Sequence, residues 1–407
     1  MTVKIPKILL PRKDIDPTKW AVIACDQFTS QLDYWQQLDG LVGDAYSTLR
    51  LIYPEAYLER DDKEARTRAI NDTMQAYIDQ EVFSEVEDFV LVDRQIADGR
   101  HRIGLMIAID LEDYEYTPCN TALIKATEKT VVERLPARIA VRKGASIELP
   151  HVMLLMDDEK NGILGELYSA KDSMERLYDF TLNMGGGRLS GYRVNDSEKV
   201  RCRLEQLADK EVSKTKYGVE QSIMFVVGDG NHSLATAKEC WENIKKTLTP
   251  EQALEHPARY ALCELVNLHD ESLEFSPIHR VMFNAGEEFI SYLQDRLVGD
   301  DTTSATYRDK QYLLHIDSSP SDAIADIQQA IDDYLARHDE SYVDYVHGEG
   351  YTLDVARKND AVAIFMPTIS KQSLFGYVAR RGVLPRKSFS MGHAEDKRYY
   401  MEAKLIK

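Results

Sequence analysis

The chain predicts an α/β fold of the mixed α+β kind, with mixed sheets, flanking helices and two or three domains. Short β-branched apolar runs such as 223–227 alternate with segments whose apolar residues recur at helical spacing, such as 321–337. The 407 residues exceed what one core of ordinary size accommodates. Hydrophobic residues at 43% and charged residues at 29% describe a globular chain.

Along the chain, the first ~85 residues read mostly as helix, with helix formers and mixed charge over 33–41 and 62–77. Residues 89–93 and 103–109 read as strands, with the hairpin signal Asp98-Gly99 between them. Residues 123–141 read as strand-rich and basic, 151–156 as a strand, and 170–182 as a helix closed by Gly185-Gly186-Gly187. A helix over 197–212 aligns Val200, Leu204, Leu207 and Ala208 on one face. Strands follow at 260–266 and 273–283, a helix at 287–297 and a strand at 313–316. The helix 321–337 carries Ile324, Ile327, Ile331 and Leu335 in one stripe. A strand at 343–346, a helix at 351–357 and a strand at 361–366 complete the pattern. It predicts βαβ-type units in the last third and antiparallel hairpins before them. The acidic 112–115 and the polar 298–308 are the expected linkers, dividing the chain into 1–118, 119–297 and 298–407.

A net charge of -18 argues against nucleic acid or an anionic membrane as the main partner. It is compatible with a small polar or phosphorylated ligand met by basic residues gathered locally. None of the five cysteines forms a Cys-x-x-Cys pair, which predicts free thiols in a reducing cytoplasm. Lys4, Lys7, Arg12 and Lys13 surround only short apolar runs, unlike a signal peptide, and no apolar run approaches the length of a membrane span.

The most informative stretch is Asp229-Gly230-Asn231-His232-Ser233. It follows the apolar run 223–227 and precedes Leu234, Ala237, Trp241 and Ile244 at helical spacing. Ser233 is the expected N-cap. The polar cluster therefore falls at a helix N-terminus, where unpaired N–H groups and the helix dipole favour an anion, phosphate above all. Gly230 lets the backbone approach such a ligand, while Asp229 and His232 supply acid–base chemistry or a magnesium contact. The bland alternative is a tight turn in which Asp229 and Asn231 bond to the backbone.

Other candidates are weaker. Asp98-Gly99-Arg100-His101-Arg102 resembles a phosphate box, but a strand follows it, so it reads as a hairpin tip. In Ser276-Pro277-Ile278-His279-Arg280 a His-Arg pair interrupts an apolar strand, and adjacent residues face opposite ways. Arg188 follows the glycine run 185–187 without the Lys-Ser/Thr of a P-loop. Lys125, Lys129, Arg134, Arg138, Arg142 and Lys143 form either an anion-attracting wall or a solvated face, partly offset by Glu128 and Glu133. The stretch 385–393 is a flap that would bring Lys387 to a phosphate, or a surface tail. Ser-His-Asp catalysis has no support: there is no Gly-x-Ser-x-Gly elbow, and the ten histidines form no helical zinc pair.

Five stretches together carry a resemblance over nearly the whole chain: Ala24-Cys25-Asp26-Gln27, Lys125-Ala126-Thr127-Glu128, Asp229-Gly230-Asn231-His232-Ser233, Pro277-Ile278-His279-Arg280 and Leu384-Pro385-Arg386-Lys387-Ser388-Phe389. The chain resembles the bacterial proteins grouped as "domain of unknown function 1015". Their strand-Asp-Gly-x-His-Arg-helix element is itself similar to the phosphate box of the ParB/sulfiredoxin-like fold, whose members bind nucleotides there and include a free-serine kinase. Here Ser233 replaces the Arg of that element and Asn231 one of its histidines. A bidentate phosphate donor is thereby lost, and Arg188, Arg280 or Lys387 would supply the charge instead.

The expected function is a nucleotide-dependent phosphotransferase acting on a small polar metabolite. Gly230, Asn231, Ser233, Arg280, Arg188, Lys387 and Ser388 would hold phosphates. Asp229, His232 and His279 would be catalytic, with Asp229 on Mg²⁺ and ATP or ADP as the nucleotide. Asp26, Gln27, Lys125 and Glu128 are further pocket candidates. The alternatives are a nucleotide-independent hydrolase or lyase built on Asp229 and His232, and a non-catalytic nucleotide sensor.

Overall fold

The computed structural model describes residues 1–58, 62–96, 98–130 and 135–407; Glu133 and Arg134 of the basic stretch lie outside them. Contacts divide the chain into two units. The first comprises Met1–Ala126, Thr130–Leu273 and His393–Lys407, the second Thr127–Lys129 and Glu274–Gly392. Neither is a continuous stretch of sequence. The fold class is the mixed α/β one expected.

The first unit is built on a ten-stranded sheet. Its path runs through Glu175–Thr181, Arg188–Arg193, Val90–Gln95, His101–Asp110, Tyr260–Asn267, Met153–Met156, Phe225–Asp229, Ile124–Lys125 and Tyr114–Glu115, and Val3–Lys4 pairs with His101–Asp110. Parallel pairing joins Met153–Met156 to Tyr260–Asn267, and Ile124–Lys125 to both of its neighbours. The remaining pairings in this sheet are antiparallel. Its central strands are buried on both faces, which is why they read as unbroken apolar runs. Alternate residues enter different cores. Leu105 and Ile107 join Leu154, Phe225 and Cys263, while Met106 and Leu262 join Trp20, Trp35 and Met74.

The hairpin at Asp98-Gly99 forms, with Gly99 at φ +88°. Elsewhere local patterns mislead. Residues 170–182, expected as a helix, form the edge strand Glu175–Thr181 after the short helix Leu164–Ser169. Tyr178, Phe180 and Leu182 are buried at every second position, and that period decides the conformation. The expected strands of 123–141 shrink to Ile124–Lys125, and Leu135–Gly144 is a helix. The helix over 197–212 stops at Glu205. Asp209 then caps a second helix, Lys210–Tyr217, by accepting from the N–H of Glu211. In the N-terminal region the helices Leu32–Val42 and Lys63–Asp79 are preceded by unexpected strands, Lys7–Pro11 and Val22–Ile23, which pair with Phe83–Glu87 and Tyr399–Tyr400.

The second unit holds a six-stranded sheet in the order Lys310–Ile316, Asp301–Tyr307, Val362–Ile364, Phe275–Phe283 and Tyr342–His347, with Phe389–Met391 on one end of Phe275–Phe283. Its described pairings are all antiparallel, which corrects the expected βαβ neighbours. The helix Glu349–Lys358 does cross between two parallel strands, but Phe275–Phe283 lies between them. The polar stretch 298–308 contains the strand Asp301–Tyr307. Its threonines suit a pleated, half-exposed face, and Arg308 and Asp309, both at positive φ, turn it back into Lys310–Ile316.

Candidate functional site

The strand Phe225–Asp229 delivers Asp229 to the turn at Gly230, and the helix Asn231–Lys245 begins at once. Gly230 sits at φ +81°, and a Cβ there would stand 3.0 Å from the Cα of Val152. Glycine is thus required by both conformation and space. Gly230, rather than Ser233, is the N-cap. Asp229 accepts the Gly230 N–H through Oδ1 at 2.9 Å, and Lys397 Nζ donates to its Oδ2 at 2.9 Å. Ser233 lies within the first helical turn. Its hydroxyl faces Nε2 of His151 at 2.8 Å instead of capping the helix.

Sheet geometry explains that meeting. Met153–Met156 pairs antiparallel with Phe225–Asp229, Met153 opposite Asp229, so the residues just before Met153 border the helix start. Tyr400 comes from the C-terminal strand Tyr399–Tyr400, whose partner Val22–Ile23 leads directly to Cys25 and Asp26. The Tyr400 oxygen is 2.7 Å from His151 Nδ1, accepts the Cys25 N–H at 3.1 Å and lies 3.3 Å from Cys25 Sγ. Asp26 Oδ2 lies 3.6 Å from His151 Nε2, and its Oδ1 accepts the Gln27 amide.

The charges follow from these neighbours. Burial pushes the Asp26 carboxyl up, but His151, the Gln27 amide, Lys397 and Arg138 outweigh it and leave it below the usual carboxylate range. Burial, reinforced by Asp26, pushes the Cys25 thiol up to about 12. Burial likewise raises Tyr400 well above the usual phenol value.

Ser233, His151, Tyr400 and Cys25 line a pocket of about 180 Å³. Met74, Val141, Ile147, Leu149, Ala237 and Leu262 supply apolar lining, and the ion pair of Glu55 with Arg138 borders it. An apolar cavity of roughly this size accepts a benzene-sized group.

The sequence candidates are distributed over both units. Asp229, Gly230, Asn231, Ser233, Asp26 and Gln27 belong to the first, together with half-buried His232. Arg188 is also there, but its strand is separated from Phe225–Asp229 by four others, and its guanidinium pairs with Asp179 at 2.8 and 2.9 Å. Lys125 is buried opposite Val226 and donates to Asn120 of its own loop; burial lowers its pKa.

Glu128, His279, Arg280, Lys387 and Ser388 belong to the second unit. His279 Nδ1 accepts the Met366 N–H, and burial lowers its pKa. Arg280 is fully buried, with its donors directed to Gln328 Oε1 and to the carbonyls of Ile278, Arg386 and Lys387. Burial draws its pKa down to about 10. Glu128 accepts the Ser388 N–H, and the Ser388 hydroxyl donates to Pro385 O. Lys387 is exposed, at φ +57°.

His151, Tyr400 and Lys397 were missed in the sequence. No motif marks them, since each meets the loop through strand pairing or chain return over a long separation. Among the described residues, no group of three or more His, Cys, Asp and Glu is placed to hold a metal. No described helix is long and apolar enough to cross a membrane.

Fold and site together define a two-unit α/β protein with a polar cluster at a strand-to-helix junction. The chain belongs to the family described as "Protein of unknown function (DUF1015)", whose model matches residues 9–378. No curated protein matches it. Similar solved structures include a free serine kinase in complex with AMP (10% identity, TM-score 0.39, covering 73% of this chain and 90% of that one). A conserved hypothetical protein from Pyrococcus furiosus gives 10%, 0.37, 71% and 90%. SbnI with a C-terminal truncation from Staphylococcus aureus gives 9%, 0.38, 74% and 87%.

Proposed function

We propose that this protein is a nucleotide-dependent phosphotransferase acting on a small metabolite, with its site at the N-terminus of the helix Asn231–Lys245. The observation that carries the reading is the convergence there of Asp229, Lys397, Ser233, His151 and Asp26 around a glycine turn. The helix N-terminus takes the phosphates. Lys397, released from Asp229, supplies the cation missing from the loop itself. Asp229 then holds Mg²⁺ or acts as base, and His151 and His232 handle protons. ATP or ADP is the nucleotide in this reading, which also draws on the local similarity to the ParB/sulfiredoxin-like phosphate box. Arg280 braces the segment 385–388 in it and leaves phosphate binding to Lys397.

The test is a thermal-shift screen against ATP, ADP, CTP, GTP and pyrophosphate, with and without Mg²⁺, on the protein and on Asp229→Ala and Lys397→Ala. A ligand at about 100 times its Kd adds ~2.7 kcal/mol of apparent stability. A nucleotide-specific shift that both variants lose supports the reading. No shift with any nucleotide in folded protein sinks it. The contact of Ser233 with His151 would then favour a second reading, a nucleotide-independent hydrolase.

A further inference from the structure

Ser233 and His151 satisfy the geometric requirements of an activated nucleophile: a hydroxyl within hydrogen-bond reach of a base, and a base oriented by a third group. The hydroxyl is 2.8 Å from Nε2. At the other ring nitrogen stands the Tyr400 oxygen, 2.7 Å from Nδ1. That oxygen already accepts the Cys25 N–H, and its own proton is assigned to Cys25 Sγ, 3.3 Å away. Assigned on this network, Nδ1–H donates to Tyr400, and Nε2 turns a lone pair to Ser233.

Three further observations single out this hydroxyl. Gly230 occupies the N-cap position, so Ser233 lies inside the first helical turn with its hydroxyl directed to His151. Ser233 and His151 both line the pocket of about 180 Å³. Asp26, with Oδ2 3.6 Å from Nε2, stands where it stabilises an imidazolium once formed. The arrangement is unlike the usual triad, in which the carboxylate holds the far nitrogen. Here Tyr400 holds that nitrogen, and the carboxylate flanks the reacting one.

We infer that Ser233 is a nucleophile activated by His151, and that it carries the transferred phosphoryl group as a phosphoserine intermediate. The identity of the cargo rests on the phosphotransferase reading above. In the step, Ser233 Oγ bonds to the terminal phosphorus of the nucleoside triphosphate, and the bond from that phosphorus to the bridging oxygen breaks. The bond electrons leave with the nucleoside diphosphate, and the hydroxyl proton passes to His151 Nε2. Attack by an acceptor hydroxyl then breaks the Ser233–phosphorus bond. His151 returns its proton to Oγ, and the acceptor's proton goes to solvent.

Two reagents test this on the full chain, read by intact mass and peptide mapping. A fluorophosphonate needs no nucleotide site: fluoride leaves and a serine–phosphorus bond forms. ATP with Mg²⁺ tests the cargo. Expected are fluorophosphonate labelling at Ser233, a rate at least ~100-fold lower in His151→Gln, and one phosphoryl group on Ser233 from ATP. Circular dichroism checks that the variant is folded, and labelling of the unaltered protein needs no variant. An unlabelled Ser233, or labelling equally fast in His151→Gln, overturns the inference. If ATP raises the melting temperature yet neither reagent modifies Ser233, the intermediate is overturned while nucleotide binding stands. If the fluorophosphonate labels Ser233 but ATP neither shifts nor modifies the protein, the phosphotransferase reading falls and takes the phosphoryl cargo with it.

Discussion

Ser233 Oγ and His151 Nε2 lie 2.8 Å apart although 82 residues separate them in the chain. Tyr400 fixes the far side of that imidazole and also accepts the half-buried Cys25 N–H. Tyr400→Phe leaves that N–H without its acceptor and the ring without its holder. Urea unfolding of Tyr400→Phe should show a loss of about 1–2 kcal/mol, and fluorophosphonate labelling of Ser233 should slow. Unchanged labelling would mean that Tyr400 does not orient His151.

Gly230 combines a left-handed φ of +81° with a close approach to Val152. Gly230→Ala should therefore cost about 1–2 kcal/mol for the conformation alone, with more from the contact at 3.0 Å. A variant as stable as the parent in a denaturant melt would show that the turn relaxes freely.

All five cysteines are free thiols, with Cys119 and Cys202 exposed and Cys240 and Cys263 buried. The Cys25 thiol, pushed up to about 12 by burial and Asp26, is almost wholly protonated at pH 8. Native protein treated with a disulfide-exchange reagent at pH 8 should react fast at Cys119 and Cys202 and slowly at Cys25. Rapid modification of Cys25, located by peptide mapping, would contradict a thiol held protonated beside Asp26 and Tyr400.

Buried Glu148 accepts the Leu262 N–H at 2.8 Å and pairs with Arg142 at 2.6 Å and Lys404 at 3.6 Å. Burial raises its pKa, but Lys404 and Arg142 outweigh that and hold it below the ordinary 4.5. A depressed carboxyl stabilises the fold fully above the unfolded value and loses that contribution as pH falls through the folded one. The melting temperature should thus drop as pH falls below about 4.5. Glu148→Gln should flatten part of that acid limb. It should also melt lower at pH 7, because Arg142 and Lys404 lose their carboxylate. An unchanged acid limb would assign the acid sensitivity to other carboxyls.

Fully buried Arg280 gathers the carbonyls of Ile278, Arg386 and Lys387 and stacks on Tyr345 at 4.5 Å. Arg280→Met strands those acceptors and should cost on the order of 3 kcal/mol, while any nucleotide-induced thermal shift persists. Loss of the shift at unchanged stability would instead place Arg280 on the ligand.

The amino-acid sequence by itself determined what depends on neighbours in the chain. The α/β class, the hairpin at Asp98-Gly99 and the strand-to-helix junction at Asp229–Asn231 were legible because turn chemistry and apolar period are local properties. Only the tertiary structure decided partners. Residues 175–181 became a strand because Arg188–Arg193 offered an edge, and Asp301–Tyr307 because Lys310–Ile316 and Val362–Ile364 flank it. Ser233 lost its expected cap role because Gly230 turns the chain three residues earlier and His151 stands within reach. The candidate site was legible at Asp229–Ser233 and at Asp26, but not at His151, Lys397 or Tyr400. An apolar period shows which face of a segment is buried and says nothing about which distant segment buries it. Strand register, set by the competition among all edges, placed His151 and Tyr400, and the return of the chain after Ala394–Asp396 placed Lys397.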